Sequence, residues 1–286
     1  MQSIYKNVLD RLLPKVFEAA EEVMKIYNSD FHVNWKKEGD PLTEADLKAN
    51  SILSNFIHQN YPDDAILSEE SADIEDRLHA KRVWIIDPID GTREFVTKNP
   101  EFAISIALVE DRRSVLGVIF NPATGELICG IQNEGVFYRV LKQPFPNGSI
   151  PLHFSKNSDE PKKKPVCMVS FSESKEGIFQ KLPLVNELFY IQPVGSVAYK
   201  LGLLAAGKCD LVFSVYPKNE WDICAGVGLL EAAGMKALEL TSFDSILFNS
   251  YPPVVLNGLL AGKKELIENI QRSYKKEFQS FFRERS

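Results

Sequence analysis

Residues 83–92 read Val-Trp-Ile-Ile-Asp-Pro-Ile-Asp-Gly-Thr. Four apolar residues make a short buried strand. It ends on Asp87, and Pro88 then fixes its own φ and removes a donor, so neither a plain strand nor a helix runs on through it. A second acid, Asp90, follows, and Gly91-Thr92 opens a turn or helix. The segment therefore predicts a stiff elbow at the end of a core strand, aiming two carboxylates into one space beside backbone N–H groups suited to an anion. Hard cations take oxygen ligands, and phosphate takes both a cation and amides. The elbow points to phosphoryl chemistry.

The flanking segments say what the elbow is built into. Residues 3–27 place Ile4, Val8, Leu12, Val16, Ala19, Val23 and Ile26 on one helical stripe, with Pro14 inside it as a kink or late start. Thr43 followed by Asp46 is the capping-box pattern with Asp in place of Glu, so a second helix starts there and stops before Pro62. A strand at 65–68 leads into Glu69-Glu70. Beyond the elbow, apolar runs at 102–109, 115–120, 127–131 and 136–140 are split by short polar turns. Connections this short predict an antiparallel meander.

Residues 142–165 hold five prolines and the run Lys162-Lys163-Lys164, which reads as a solvated linker rather than a polyanion grip. A lobe boundary is placed here: residues 1–150 form an α+β lobe with an antiparallel sheet, and residues 151–286 an α/β lobe. In the second lobe, strands at 166–170, 210–215 and 254–257 alternate with helices at 176–182, 196–206, 222–233 and 263–282. Asp222 is expected as the N-cap of the third of these helices. The fold class is α/β (α+β).

A formal net charge of −6 argues against a nucleic-acid polymer as partner. No run of apolar residues is long enough for a membrane span, and no signal-peptide pattern opens the chain. Cys129, Cys167, Cys209 and Cys224 are widely spaced within apolar stretches, as expected of buried thiols in a reducing, cytoplasmic setting.

Six acids sit at the ends of expected elements: Asp46, Glu69, Glu70, Asp87, Asp90 and Asp222. Singly, each has a plain reading, such as a first-turn acid, a cap or a loop. Together, two like charges ~4 Å apart repel by roughly 4 kcal/mol at an effective dielectric near 20. Cations or raised pKa values relieve that. With no His or Cys ligand spacing in the chain, convergence favours Mg²⁺, or Mn²⁺, over Zn²⁺. Gly226-Val227-Gly228 lies within a helix and is not a dinucleotide fingerprint. Ser196 lacks the frame of a hydrolase nucleophile.

Asp87-Pro88-Ile89-Asp90-Gly91-Thr92 resembles the signature of the inositol monophosphatase superfamily. Leu67-Ser68-Glu69-Glu70 and Trp221-Asp222 with Ala225-Gly226 resemble its other metal-binding blocks, and Asp40-Pro41-Leu42-Thr43-Glu44-Ala45-Asp46 its N-terminal helix motif. The resemblance covers nearly the whole chain in order. It implies a layered αβαβα sandwich of the inositol monophosphatase/fructose-1,6-bisphosphatase type, often a homodimer, and Li⁺-sensitive, Mg²⁺-dependent hydrolysis of a small phosphorylated substrate. By position, Glu69, Asp87, the carbonyl of Ile89, Asp90 and Asp222 would ligate two or three metals, with Glu70 assisting a third. Thr92, paired with Asp46, would orient the attacking water, and Asp46, Glu69 and Thr92 form the catalytic set. Asp90, Gly91, Thr92, Gly195, Ser196 and Asp222 would contact phosphate or substrate.

Within that superfamily, Thr92-Arg93-Glu94-Phe95 and Val215-Tyr216-Pro217-Lys218 resemble the CysQ-type 3′(2′),5′-bisphosphate nucleotidases. Val215 stands where inositol monophosphatases usually carry a glutamate for a ring hydroxyl. Phe171 and Glu173 stand where the nucleotidases commonly carry arginine and histidine, leaving Lys218 or Lys200 to supply a cation. The leading expectation is hydrolysis of 3′-phosphoadenosine 5′-phosphate to AMP and phosphate. The alternatives are an inositol-1-phosphate or broad sugar-phosphate phosphatase, and a catalytically silent metal- or phosphate-binding regulator.

Overall fold

The computed structural model describes residues 4–37, 40–148, 150–153, 164–179 and 182–283. Helix α1 (Ile4–Tyr27) runs through Pro14, losing one ladder bond there, and buries Val8, Leu12, Val16 and Val23 on its inner stripe. An antiparallel hairpin follows, β1 (Val33–Lys37) and β2 (Asp40–Thr43). Its Val-Asn-Trp-Lys-Lys strand alternates apolar and polar residues over only four positions, too short a run to announce it. Helix α2 (Glu44–Asn60) starts at the expected capping box, with Thr43 as N-cap and Asp46 at the third helical position.

The first sheet has six strands: β3 (Ala65–Ser68), β4 (Arg82–Asp90), β5 (Ala103–Glu110), β6 (Arg113–Asn121), β7 (Glu126–Ile131) and β8 (Gly135–Val140), in that spatial order. β3 and β4 are parallel. From β4 onward every pair is antiparallel, as the short turns require. The five-residue helix α3 (Thr92–Val96) leaves the elbow. Its Phe95 packs against Tyr27, Phe31 and Phe102 at ring-centroid distances of 5.1–5.2 Å. Aromatic pairs of this kind contribute about 0.5–1.5 kcal/mol each beyond area burial and hold the elbow from behind.

The second half departs from expectation in several places. After β9 (Val166–Val169), the helix expected at 176–182 is displaced: α4 (Phe171–Lys175) ends before that range, because Ser170 caps it and Gly177 (φ +69°) stops it. Helix α5 (Pro183–Leu188) begins on proline. Strand β10 (Tyr190–Pro193), helix α6 (Val197–Ala205) and strand β11 (Leu211–Ser214) follow. Next come β12 (Lys218–Asn219) and helix α7 (Glu220–Ala232), whose N-cap is Asn219, so Asp222 is its third residue and not its cap. After β13 (Lys236–Glu239), the strand expected at 254–257 is only the two-residue β14 (Val254–Val255), paired with β12. Gly258 (φ +71°) turns the chain into the core strand β15 (Leu259–Gly262), buried on both faces. Helix α8 (Lys264–Arg283) closes the fold. The second sheet runs β10-β9-β11-β15-β13. Lys162 and Lys163 of the lysine run lie outside the described residues.

Three apolar clusters separate five layers. α1 and α2 pack on one face of the six-stranded sheet through Trp84, Ile86, Ile104 and Phe120. α6 and α7 lie between the two sheets, touching Ile85, Ala107 and Ile119 on one side and Val212, Leu259 and Ala261 on the other. α8 and its neighbours cover the outer face of the second sheet through Phe213, Leu260 and Phe278. This is the αβαβα sandwich. The four cysteines are buried. Among the described residues, no helix is long and apolar enough to cross a membrane.

The glycine pair in α7 is a packing device. A Cβ built on Gly226 would stand 2.4 Å from the Leu201 Cβ of α6, and one on Gly228 would stand 2.2 Å from the Ser114 hydroxyl of β6. Gly226→Ala should therefore destabilise by about 1–3 kcal/mol through overpacking, even though alanine gains about 1 kcal/mol of helix propensity. Urea unfolding at unchanged m-value measures it; a stabilised variant would contradict the close helix contact.

Candidate active site

The elbow works through a one-residue bulge. β4 continues to Asp90, but its register against β5 shifts between Asp87, opposite Ser105, and Asp90, opposite Ala103. Three residues of β4 thus face two of β5. Residues three apart on a regular strand point to opposite faces, and the extra residue restores them to one face. Pro88 sits in the bulge, where its missing N–H costs no ladder bond. Asp87 and Asp90 therefore both face the layer of α6 and α7. The Asp87 carboxylate accepts the Ile89 N–H at 3.0 Å, which tightens the turn. Gly91 follows with φ +93°, a left-handed conformation that other residues adopt at a cost, and α3 starts immediately after it.

Two helix starts deliver two more acids. Asp46 and Asp222 are both third residues of their helices, and each turns one oxygen back to its cap. Asp46 Oδ2 accepts the Thr43 N–H at 2.8 Å and the Thr43 hydroxyl at 2.7 Å. Its Oδ1 is 3.3 Å from the Thr92 hydroxyl, which also lies 3.0 Å from the Ile89 carbonyl and has one proton to give. Asp222 Oδ2 accepts the Asn219 N–H at 2.9 Å. The start of α7 is itself fixed by Glu220, a buried carboxylate that accepts the N–H groups of Asn249 and Ser250 at 2.7 and 2.8 Å.

Asp87, Asp90 and Asp222 bring carboxylate oxygens within 4.8 Å of one another. They line one cleft of about 440 Å³, together with Glu69, Ile89, Gly91 and Thr92. Burial, then repulsion from Glu69, Asp90 and Asp222, holds the Asp87 carboxyl well above the usual range. Burial, then Asp90 and Glu69, does the same to Asp222. Burial pushes Asp46 up to about 6 despite its bonds to Thr43. Burial raises Asp90 too, but the Ser196 hydroxyl and the Ala198 N–H, 2.6 Å from its Oδ2, pull the other way. An oxygen-only donor set with this much unrelieved negative charge fits a hard divalent cation.

The remaining candidates occupy distinct places. Glu69 faces the cleft and also meets Lys36 of β1 at 2.9 Å. Glu70 is almost wholly covered and bonds Lys36. Ser196, at φ +50°, caps α6 through the Tyr199 N–H and hydrogen-bonds Asp90, so its hydroxyl is spent on orienting an acid. The Gly195 N–H donates to Glu101 at 2.8 Å, behind Ser196. Sequence reasoning did not find Lys36, which lies in a polar stretch with no motif. It also missed Ser196 as the anchor of Asp90, a contact made across more than a hundred residues.

The likeness to known proteins agrees with this geometry. The chain is 28% identical over 251 residues to the 3′(2′),5′-bisphosphate nucleotidase CysQ of Haemophilus influenzae, covering 87% of this chain and 90% of that protein. It is equally 28% identical, over 236 residues, to an inositol monophosphatase of Mesembryanthemum crystallinum, covering 79% and 84%. Among solved structures, CysQ from Bacteroides thetaiotaomicron superposes with a TM-score of 0.77 at 24% identity, over 91% of this chain and 98% of that one. The model of the inositol monophosphatase family matches residues 6–276. The chain therefore belongs to the inositol monophosphatase family, whose members are metal-dependent phosphomonoester hydrolases.

Proposed function

We propose that the protein is a Mg²⁺-dependent phosphatase whose substrate is a 3′(2′),5′-bisphosphate nucleotide, such as 3′-phosphoadenosine 5′-phosphate. The observation that carries the phosphatase chemistry is the meeting of Asp87, Asp90 and Asp222 in one cleft with Glu69 and the Asp46–Thr92 pair. Glu69, Asp87, the Ile89 carbonyl, Asp90 and Asp222 would hold the ions, with Glu70 at the margin. When bound, such ions supply Lewis acidity: they lower the pKa of water and neutralise phosphate charge.

The protein's own groups do the rest. Thr92 donates its proton to Asp46 or to the Ile89 carbonyl, leaving its oxygen lone pairs to accept from the attacking water and fix its direction. Backbone N–H groups at Gly91 and Thr92, which line the cleft after the left-handed turn, would donate to the equatorial phosphate oxygens. The substrate choice leans on Val215. This residue is buried in the outer cluster of the second sheet, so that position offers no acceptor for an inositol hydroxyl. Similarity to the CysQ proteins supports the same choice.

Three outcomes are expected. Asp90→Asn should lower turnover at least ~100-fold while leaving the circular dichroism spectrum unchanged; undiminished phosphate release would refute the assignment. kcat/KM for 3′-phosphoadenosine 5′-phosphate should exceed that for inositol-1-phosphate, and the reverse ratio would reject the nucleotide reading. The third concerns pH. Folded carboxyls raised to about 6 (Asp46), or simply raised (Asp87, Asp222), retain protons that the unfolded chain has already released above about pH 4. Metal-free stability should thus fall as pH rises from about 4 through about 6. Mg²⁺ needs the ionised carboxylates, so the rise in Tm on adding it should be larger near pH 7.5 than near pH 5.5. Equal rises at both would contradict the shared-charge picture.

A further inference from the structure

Away from the residues that line the cleft, one arginine is enclosed. Arg77 lies in a short 3₁₀ turn (Glu75–His79) on the connection that carries the chain from Glu69-Glu70 to β4, and it is only 2% exposed. A guanidinium in that position must find acceptors, because a buried, unpaired charge is costly. Its Nε and Nη2 fork onto the two oxygens of Asp73 at 2.6 and 2.9 Å. Those bonds are local. The others cross the molecule: Nη1 donates to the Asn249 side-chain oxygen at 2.6 Å, and Nη2 to the Ser250 carbonyl at 2.9 Å. The Asn249 amide returns a bond to the Arg77 carbonyl at 3.0 Å. Arg112, in the turn between β5 and β6, holds the same loop by donating to the Phe248 carbonyl at 3.3 Å and the Ser250 hydroxyl at 2.9 Å.

The far side of that loop meets α7. The N–H groups of Asn249 and Ser250 are the ones that the Glu220 carboxylate accepts, and the Glu220 N–H donates to the Pro253 carbonyl at 2.9 Å. Asn249 adopts φ +58°, a left-handed conformation in which its side chain meets Arg77 while its N–H meets Glu220. Glu220 is the first residue of α7, and Asp222 is the third. Hydrogen bonds therefore run without a gap from the connection after Glu69-Glu70, through Arg77 and Asn249, to the helix start that carries Asp222. We propose that Arg77 is a positioning residue for the metal-binding acids: it sets the loop at 248–253, the loop sets Glu220, and Glu220 sets the helix turn that aims Asp222. This rests on the metal-dependent phosphatase reading above. It deepens that reading by tying the segment that bears Glu69 to the one that bears Asp222 through groups outside the cleft.

The test is Mg²⁺ binding measured by calorimetry without substrate, so it does not depend on turnover. Arg77→Lys keeps a charge beside Asp73 but does not reach Asn249 and Ser250 together. It should raise the Kd for Mg²⁺ about 10-fold, as loss of a supporting partner of a metal ligand does. Asn249→Gly accepts the left-handed φ, keeps the N–H for Glu220 and leaves the Arg77 charge paired with Asp73, and it should give a similar rise. Glu220→Gln should act alike. The double variant of Arg77→Lys with Glu220→Gln should lose little more than either alone, because both break one chain of contacts. A lowered Tm with wild-type Mg²⁺ affinity in Arg77→Lys and Asn249→Gly would make Arg77 a brace for folding only and overturn the proposal. Losses that multiply in the double variant would mark two separate effects and overturn it as well. A wild type that binds no Mg²⁺ would overturn the metal-dependent reading together with this one.

Discussion

Mutual repulsion among Asp87, Asp90 and Asp222 is the constraint that organises this molecule. Three carboxylates whose oxygens lie within 4.8 Å do not stay together by themselves. Each is held by a different piece of architecture. Asp87 belongs to a central strand, Asp90 is kept on the same face by the bulge and gripped by α6, and Asp222 is tied to the cap of α7. The layers between the two sheets carry this arrangement against its own charge, and a bound cation removes the conflict.

The same logic explains why buried acids here are rarely bare. Asp46 and Asp222 each give one oxygen to a helix cap. An oxygen that would otherwise rotate is thereby fixed, and the other is aimed. Glu173 and Glu220 use both oxygens on backbone N–H and hydroxyl donors and hold turns. Buried carboxylates thus act either as charge presented to a cleft or as multi-toothed staples for loops, according to how many donors surround them.

Much of the site was legible in the sequence because its parts are local. Asp87-Pro88-Ile89-Asp90-Gly91 encodes the bulge and its turn within five residues, and Thr43 with Asp46 encodes a cap within four. Strand meanders with short turns are equally local, so β5 to β8 followed from the chain. What escaped was non-local or featureless. The β1–β2 hairpin offers only a four-residue alternation, and β15 is a short buried run whose start depends on the turn at Gly258. Ser196 reaches Asp90, and Glu173 reaches Val215, only after the layers assemble. Asp222 was placed three positions out of role because Asn219 competes as a cap.

Helix α7 has consequences beyond packing. Nearly every residue from Ile223 to Leu230 is buried, and both sheets press on it. Asp222 stands at the tip of this clamped rod. Local opening that would free the rod must breach both apolar interfaces at once, so it approaches the energy of unfolding the whole chain. The geometry of the acids is therefore as durable as the protein itself.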